Sequence, residues 1–259
     1  MYAMPINIEA ALRRGVGRTV ARNGLLLVAV LFVVSTVNAI VGLGVARWVA
    51  NRGVLPRGLP FPGEVGAALF SVPPAIGGLV SLLAGLATVV IAIGALRIFV
   101  TEETERLPGE HFTRNVVWPG ANFVVGTIVF AVIVGLGFVL FVVPGVFLLV
   151  ALAFWTVYVV VEGRNFIEGM QESWALTRGH RVRLFLLGVA VVIVEIVVSA
   201  VFGLGGIAGS TVGVVVAQIG SALTTVFTLA TLAAVYGQLV VLPPEEETTT
   251  TDSETATPA

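Results

Sequence analysis

Glu195 stands inside the apolar run VVIVEIVVSA, and no other carboxylate in the chain is placed so deep among hydrophobic residues. A charged carboxylate there costs at least about 2.5 kcal/mol, and ionisable groups inside a membrane usually face a bundle interior or a water-filled cavity. If the runs on either side of Gly206 and Ile207 fold back antiparallel about that turn, Gln218 reaches the level of Glu195. Asn38, about eight residues before the far end of the first apolar run, reaches that level too, counting roughly 1.5 Å per residue. The spacing therefore predicts an intramembrane polar layer of Asn38, Glu195 and Gln218. Its chemistry is either a proton or solute relay or a set of interhelical hydrogen bonds.

Other chemistry finds little to work with. The chain has no cysteine, its fourteen basic residues are all arginine, and its one aspartate is Asp252 near the C-terminus. Thiol nucleophiles, disulfides, lysine Schiff bases and cysteine-rich metal sites are excluded. His111 and His180 lie in charged stretches outside the apolar runs, where a solvated or satisfied histidine is expected. No GxSxG, HExxH or Walker pattern occurs. Gly203, Gly205 and Ala208 spell GxGxxA, but they follow an apolar span instead of a strand, so no dinucleotide site is expected. The expectation is a protein that is not an enzyme, with no catalytic residues, no metal and no cofactor.

The elements that must carry Glu195 follow from composition. Hydrophobic residues make up 57% of the 259 positions and charged residues 11%, and the mean hydropathy is +1.04. A soluble domain carries about 25% charge, so lipid is the expected solvent. Several apolar runs reach the roughly 20 residues a helix needs to cross the hydrocarbon core. We read an all-α integral membrane protein with about six spans, near residues 24–46, 75–99, 119–143, 144–161, 184–202 and 211–242. The first is too long for a signal-peptide core and is read as retained. Pro144-Gly145, between two runs without nearby charge, reads as a tight hairpin turn.

Two stretches, 5–23 and 162–183, mix arginines with apolar residues at helical spacing and read as amphipathic helices at the membrane surface. Three domains result: a cytoplasmic amphipathic N-terminal helix over 1–23, a six-span membrane domain over 24–242, and a disordered Thr/Glu-rich tail over 243–259. With the N-terminus inside, eleven of the fourteen arginines fall on the inner side, and only Arg47, Arg52 and Arg57 fall outside. The positive-inside rule then puts both termini in the cytoplasm of a multi-pass cell-membrane protein. The net charge of −1 gives no reason to expect nucleic acid as a partner.

Small residues at four-residue spacing mark helix-packing faces: Gly77, Ser81 and Gly85 in the second span, and Gly209, Gly213, Ala217 and Ser221 in the sixth. Such faces also suit a membrane-protein partner or a second copy of the chain. The stretch from Ile8 resembles the stretch from Ile167 in its order of short helix, basic cluster and hairpin, which suggests an internal repeat.

From Pro144 to Gly179 the sequence PGVFLLVALAFWTVYVVVEGRNFIEGMQESWALTRG resembles a pattern shared by YciC-type membrane proteins and by the membrane domain of some glycerophosphodiester phosphodiesterases. The matching positions are Pro144, Gly145, Val161, Glu162, Met170, Ser173, Trp174, Leu176, Thr177, Arg178 and Gly179. Gly169 departs from the usual Ala, and Glu172 stands where a basic residue is common. The resemblance implies a six-span helical domain with a short amphipathic helix after span four, and no established activity. Read from the residues, Ser173 and Trp174 anchor that helix at the surface and Glu162 caps its start. The functional expectation is a non-enzymatic membrane scaffold or accessory protein. The alternative is a transporter or channel component built on Glu195.

Overall fold

The structure, a computed structural model, describes residues 6–52, 70–101, 116–207 and 211–241. Every regular element among them is an α-helix: α1 (Ile8–Val20), α2 (Arg22–Asn51), α3 (Pro74–Val100), α4 (Val117–Leu140), α5 (Val142–Ala151), α6 (Trp155–Val161), α7 (Phe166–Leu176), α8 (Arg181–Ile207) and α9 (Thr211–Val241). Six stretches are long and apolar enough to cross a membrane, with α5 and α6 together forming the fourth. The protein is an all-α multi-pass membrane protein. Residues 208–210, which include Gly209, the loop with His111 and the C-terminal tail lie outside the described residues.

Local chemistry sets the ends of these helices. Pro74 opens α3 at its first position, where its missing N–H costs nothing and its fixed φ suits the helix. Asn7 caps α1 by accepting from Ala10 N, and Asn165 caps α7 by accepting from Glu168 N, while Glu168 reaches back to Asn165 N. Both short helices thus open on an asparagine cap, although aligning Ile8 with Ile167 leaves the two caps one residue out of register.

Helix α9 is the hub, packed against α8, α1, α2 and α3. Lipid tails are as apolar as leucine, so close packing and hydrogen bonds must hold such helices together. The tightest contacts use small residues: Gly15 of α1 lies against Thr231 and Phe227 of α9, and Gly220 of α9 against Phe202 of α8. One core, at the end of the bundle that holds α1, joins Ala11, Leu96, Val157, Leu187 and Tyr236 from five helices. A second joins Leu31, Ile98 and Val226 of α2, α3 and α9.

Three sequence-based expectations change. Helix α1 packs one face into the bundle, a contact its amphipathic pattern does not reveal. Its Ala11 is fully buried and its Gly15 and Thr19 are buried in the bundle, while Arg13 and Arg14 face outward. The fourth span is not one helix: residues 152–154 break it into α5 and α6. The hairpin turn before it centres on Phe141, the one extended residue between α4 and α5 (φ −162, ψ 154). Pro144 sits in the first turn of α5, where a missing N–H leaves no hydrogen bond unmade. Gly145 lets that turn close against Phe138.

Candidate functional site

Glu195 is half-buried between α8 and α9, and its Oε1 accepts a hydrogen bond from Thr228 Oγ1 at 2.8 Å. Ser199, one turn along α8, and Thr224, Thr225, Thr228 and Leu229 of α9 complete a cleft of about 330 Å³ around it. Four hydroxyls thus surround one carboxylate. The cleft opens on the outer flank of the bundle, because Ser199 and Thr225 are exposed, as are Val192 and Ile196 beside them on α8.

The expected polar layer separates into two hydrogen-bonded pairs. Asn38 Oδ1 accepts from Ser81 Oγ at 2.8 Å, which ties α2 to α3, while Glu195 pairs with Thr228. Gln218 is half-buried on α9, ten residues and about 15 Å of helix rise from Thr228. The error came from the turn. Helix α8 runs on to Ile207 and α9 starts at Thr211, and Phe202 meets Gly220. This register brings Thr228, not Gln218, to the level of Glu195.

The small-residue stripes divide similarly. Gly77 packs on Val45 and Val41 of α2, and Ser81 bonds Asn38, but Gly85 faces open space. On α9, Gly213 is buried, Ala217 half-buried and Ser221 exposed. The contact with α8 runs instead through Gly220, one position off the predicted stripe. A glycine-rich helix offers several such stripes, and spacing alone does not choose among them.

The residues of the recognised motif meet at the break in the fourth span. A break inside the membrane frees backbone groups that lipid cannot satisfy. Ser173, fully buried on α7, donates to Ala151 O and accepts from Phe154 N, both at 3.0 Å. Thr177, also fully buried, donates to Ala151 O at 3.3 Å. Gly169 lets α7 approach, since a Cβ there would lie 2.9 Å from Trp155 O. The expectation that Ser173 anchors a surface helix is therefore corrected: it binds one turn of a neighbouring span.

The rest of the motif orients these groups. Trp174 packs edge-on against Phe147, with ring centroids 5.4 Å apart. Arg181 stacks on both rings, 4.5 Å from each centroid. Leu176 packs on the core, and Gly179 takes φ +77, which ends α7 in a conformation open to glycine. Glu162 does not cap α7, since Asn165 does; instead it accepts a hydrogen bond from Tyr236 Oη and joins α6 to α9.

Arginines close the ends of three helices. Arg18 Nη1 donates to Phe99 O at 2.7 Å, Arg97 Nε to Val160 O at 3.2 Å, and Arg181 Nη2 to Trp174 O at 3.4 Å. Each acceptor lies in the last turn of its helix, where carbonyls lack partners and the dipole is negative. Sequence reasoning treated these arginines only as markers of orientation. Among the described residues, no group of three or more His, Asp or Glu could hold a metal ion.

No curated protein and no solved structure matches the chain. A family defined as a domain of unknown function, DUF7847, matches residues 6–239. That match takes in α1, all six spans, the Ser173 clamp and the Glu195 cleft, and the chain belongs to the DUF7847 family.

Proposed function

We propose that this protein is a non-enzymatic scaffold or accessory protein of the cell membrane, both termini cytoplasmic, that holds a partner membrane helix at the Glu195 cleft. The carrying observation is the placement of one carboxylate and four hydroxyls on the outer flank between α8 and α9. Polar groups facing lipid are costly, and a helix that brings hydrogen-bonding side chains relieves that cost. Elsewhere side-chain hydrogen bonds join helices, as in Asn38–Ser81 and Ser173–Ala151. The orientation rests on arginine placement. Arg13, Arg14, Arg18 and Arg22 stand at the end of the bundle that also holds Arg178, Arg181 and Arg183, opposite Arg47 and Arg52.

A photo-crosslinking amino acid at Ser199, tested in native membranes, examines this reading. It should give a discrete protein adduct, at twice the 27.0 kDa chain mass for a second copy or at another mass for a different partner. The same group at Val197, exposed on another face of α8, should give lipid adducts only. Lipid adducts alone at both positions would remove the scaffold reading.

The second reading is a transport component, favoured by the open hydroxyl-lined space beside Glu195. It requires that Glu195→Gln abolish a pH-dependent flux while folding persists. Flux unchanged by both Glu195→Gln and Glu195→Leu would remove it.

A further inference from the structure

A second cleft, of about 550 Å³, lies between α7 and the α4–α5 hairpin, at the end of the bundle that holds α1. Val129, Ile133, Leu152, Phe166 and Met170 make its walls, and its polar residues are Gln171 and Arg178 on the exposed side of α7. An apolar slot with a few polar groups at one edge suits an amphiphile, and its size falls in the range of small-molecule sites, roughly 300–1,000 Å³.

Among the described residues no carboxylate lies within ion-pair distance of Arg178. A second cation stands behind the wall of the cleft: Arg181 lies 4.5 Å from the ring centroid of Trp174, which lines the cleft. The Arg181 Nε is buried and has no hydrogen-bond partner. The nearest acidic residues on α7 are used or turned away. Glu168 closes the capping box with Asn165, and Glu172 is three residues on from Gly169, on the flank that packs toward Tyr158.

We propose that this cleft binds one anionic phospholipid from the leaflet at the α1 end, its acyl chain against Ile133, Leu152 and Met170 and its phosphate at Arg178. Basic residues at the rim of an apolar gap between membrane helices are suited to anionic headgroups. The planar guanidinium presents paired N–H donors to phosphate oxygens, and Gln171, about two helical turns earlier, adds a neutral polar group farther along the cleft. A zwitterionic lipid offers the same chain with no net charge, so the site discriminates by headgroup. This proposal is independent of the Glu195 cleft.

The test uses the full chain in phosphatidylcholine vesicles containing a minor fraction of lipid brominated on its acyl chains, either phosphatidylglycerol or phosphatidylcholine. Bromine quenches nearby tryptophan, and the difference between the native chain and Trp174→Phe isolates the Trp174 signal. Brominated phosphatidylglycerol should quench that signal about fivefold more effectively, mole for mole, than brominated phosphatidylcholine. Arg178→Gln should reduce the preference to near unity, and Arg178→Lys should keep most of it. Equal quenching by the two lipids, or a preference undiminished in Arg178→Gln, would overturn the proposal. So would loss of the preference on adding soluble glycerol phosphate, because the site would then be one for a free anion.

Discussion

The Ser173 hydroxyl donates to the Ala151 carbonyl, 22 residues earlier in the chain and on a different helix, at 3.0 Å. The same oxygen receives the N–H of Phe154. One side chain thus serves both sides of the break in the fourth span, where lipid offers no alternative partner.

Ser173→Ala removes both bonds and adds no bulk. We expect it to destabilise the folded protein in detergent by about 1–3 kcal/mol, the cost of leaving buried polar groups unsatisfied. Thr177→Val should cost less, because Ser173 still serves Ala151. Thermal unfolding followed by circular dichroism checks the order, and an unchanged Tm for Ser173→Ala would contradict it.

A methyl group at Gly15 would lie 2.1 Å from Thr231 Oγ1 and 3.2 Å from Phe227, so Gly15→Ala requires Thr231 to turn or α1 to move off α9. A loss of about 1–3 kcal/mol is expected from such overpacking. Thr231 Oγ1 is buried without a hydrogen-bond partner, so Thr231→Ala should cost little alone and recover part of the loss when combined with Gly15→Ala. A double-mutant cycle measures that coupling. Gly17→Ala, with nothing within 4 Å, should stabilise by up to about 1 kcal/mol through helix propensity alone.

Arg18 reaches from α1 to the last turn of α3 through Phe99 O. Arg18→Gln keeps a donor but loses the charge that complements the helix dipole, and Arg18→Lys keeps the charge. Proteolysis at the α1–α2 junction should accelerate in Arg18→Gln and change less in Arg18→Lys. Equal rates in the native chain and Arg18→Gln would show that the contact does not secure α1.

The spans were legible because each is an apolar run near or above the membrane's thickness, and because Pro74 marks a helix start. The break at 152–154 was not, since Leu152, Ala153 and Phe154 are as apolar as their flanks and the groups that stabilise it come from Ser173 and Thr177. Glu195 could be singled out from one sequence, as its cost in lipid is local. Its partner could not, because a shift of a few residues in the turn before Thr211 moves every level on α9. Glu162 is a motif position, but its bond to Tyr236 joins residues 74 apart, a pairing no local spacing encodes.

Glu195→Gln preserves an acceptor for Thr228 and should leave the unfolding transition within about 0.5 kcal/mol of the native chain, as expected for a neutral interhelical bond. Glu195→Leu removes the acceptor and should lower stability by about 0.6–1.7 kcal/mol. Equal stability of the two variants would mean that the Thr228 bond contributes nothing.

The absence of cysteine makes a single introduced thiol the most direct probe of whether the Glu195 cleft is a docking face or a watered path. Ser199→Cys in intact membranes would be exposed to a charged, membrane-impermeant thiol reagent from each side in turn, with Arg14→Cys as the water-facing control. The docking account predicts that Arg14→Cys reacts and Ser199→Cys does not, from either side. Reaction of Ser199→Cys at a rate near that of Arg14→Cys would place water beside Glu195 and contradict it.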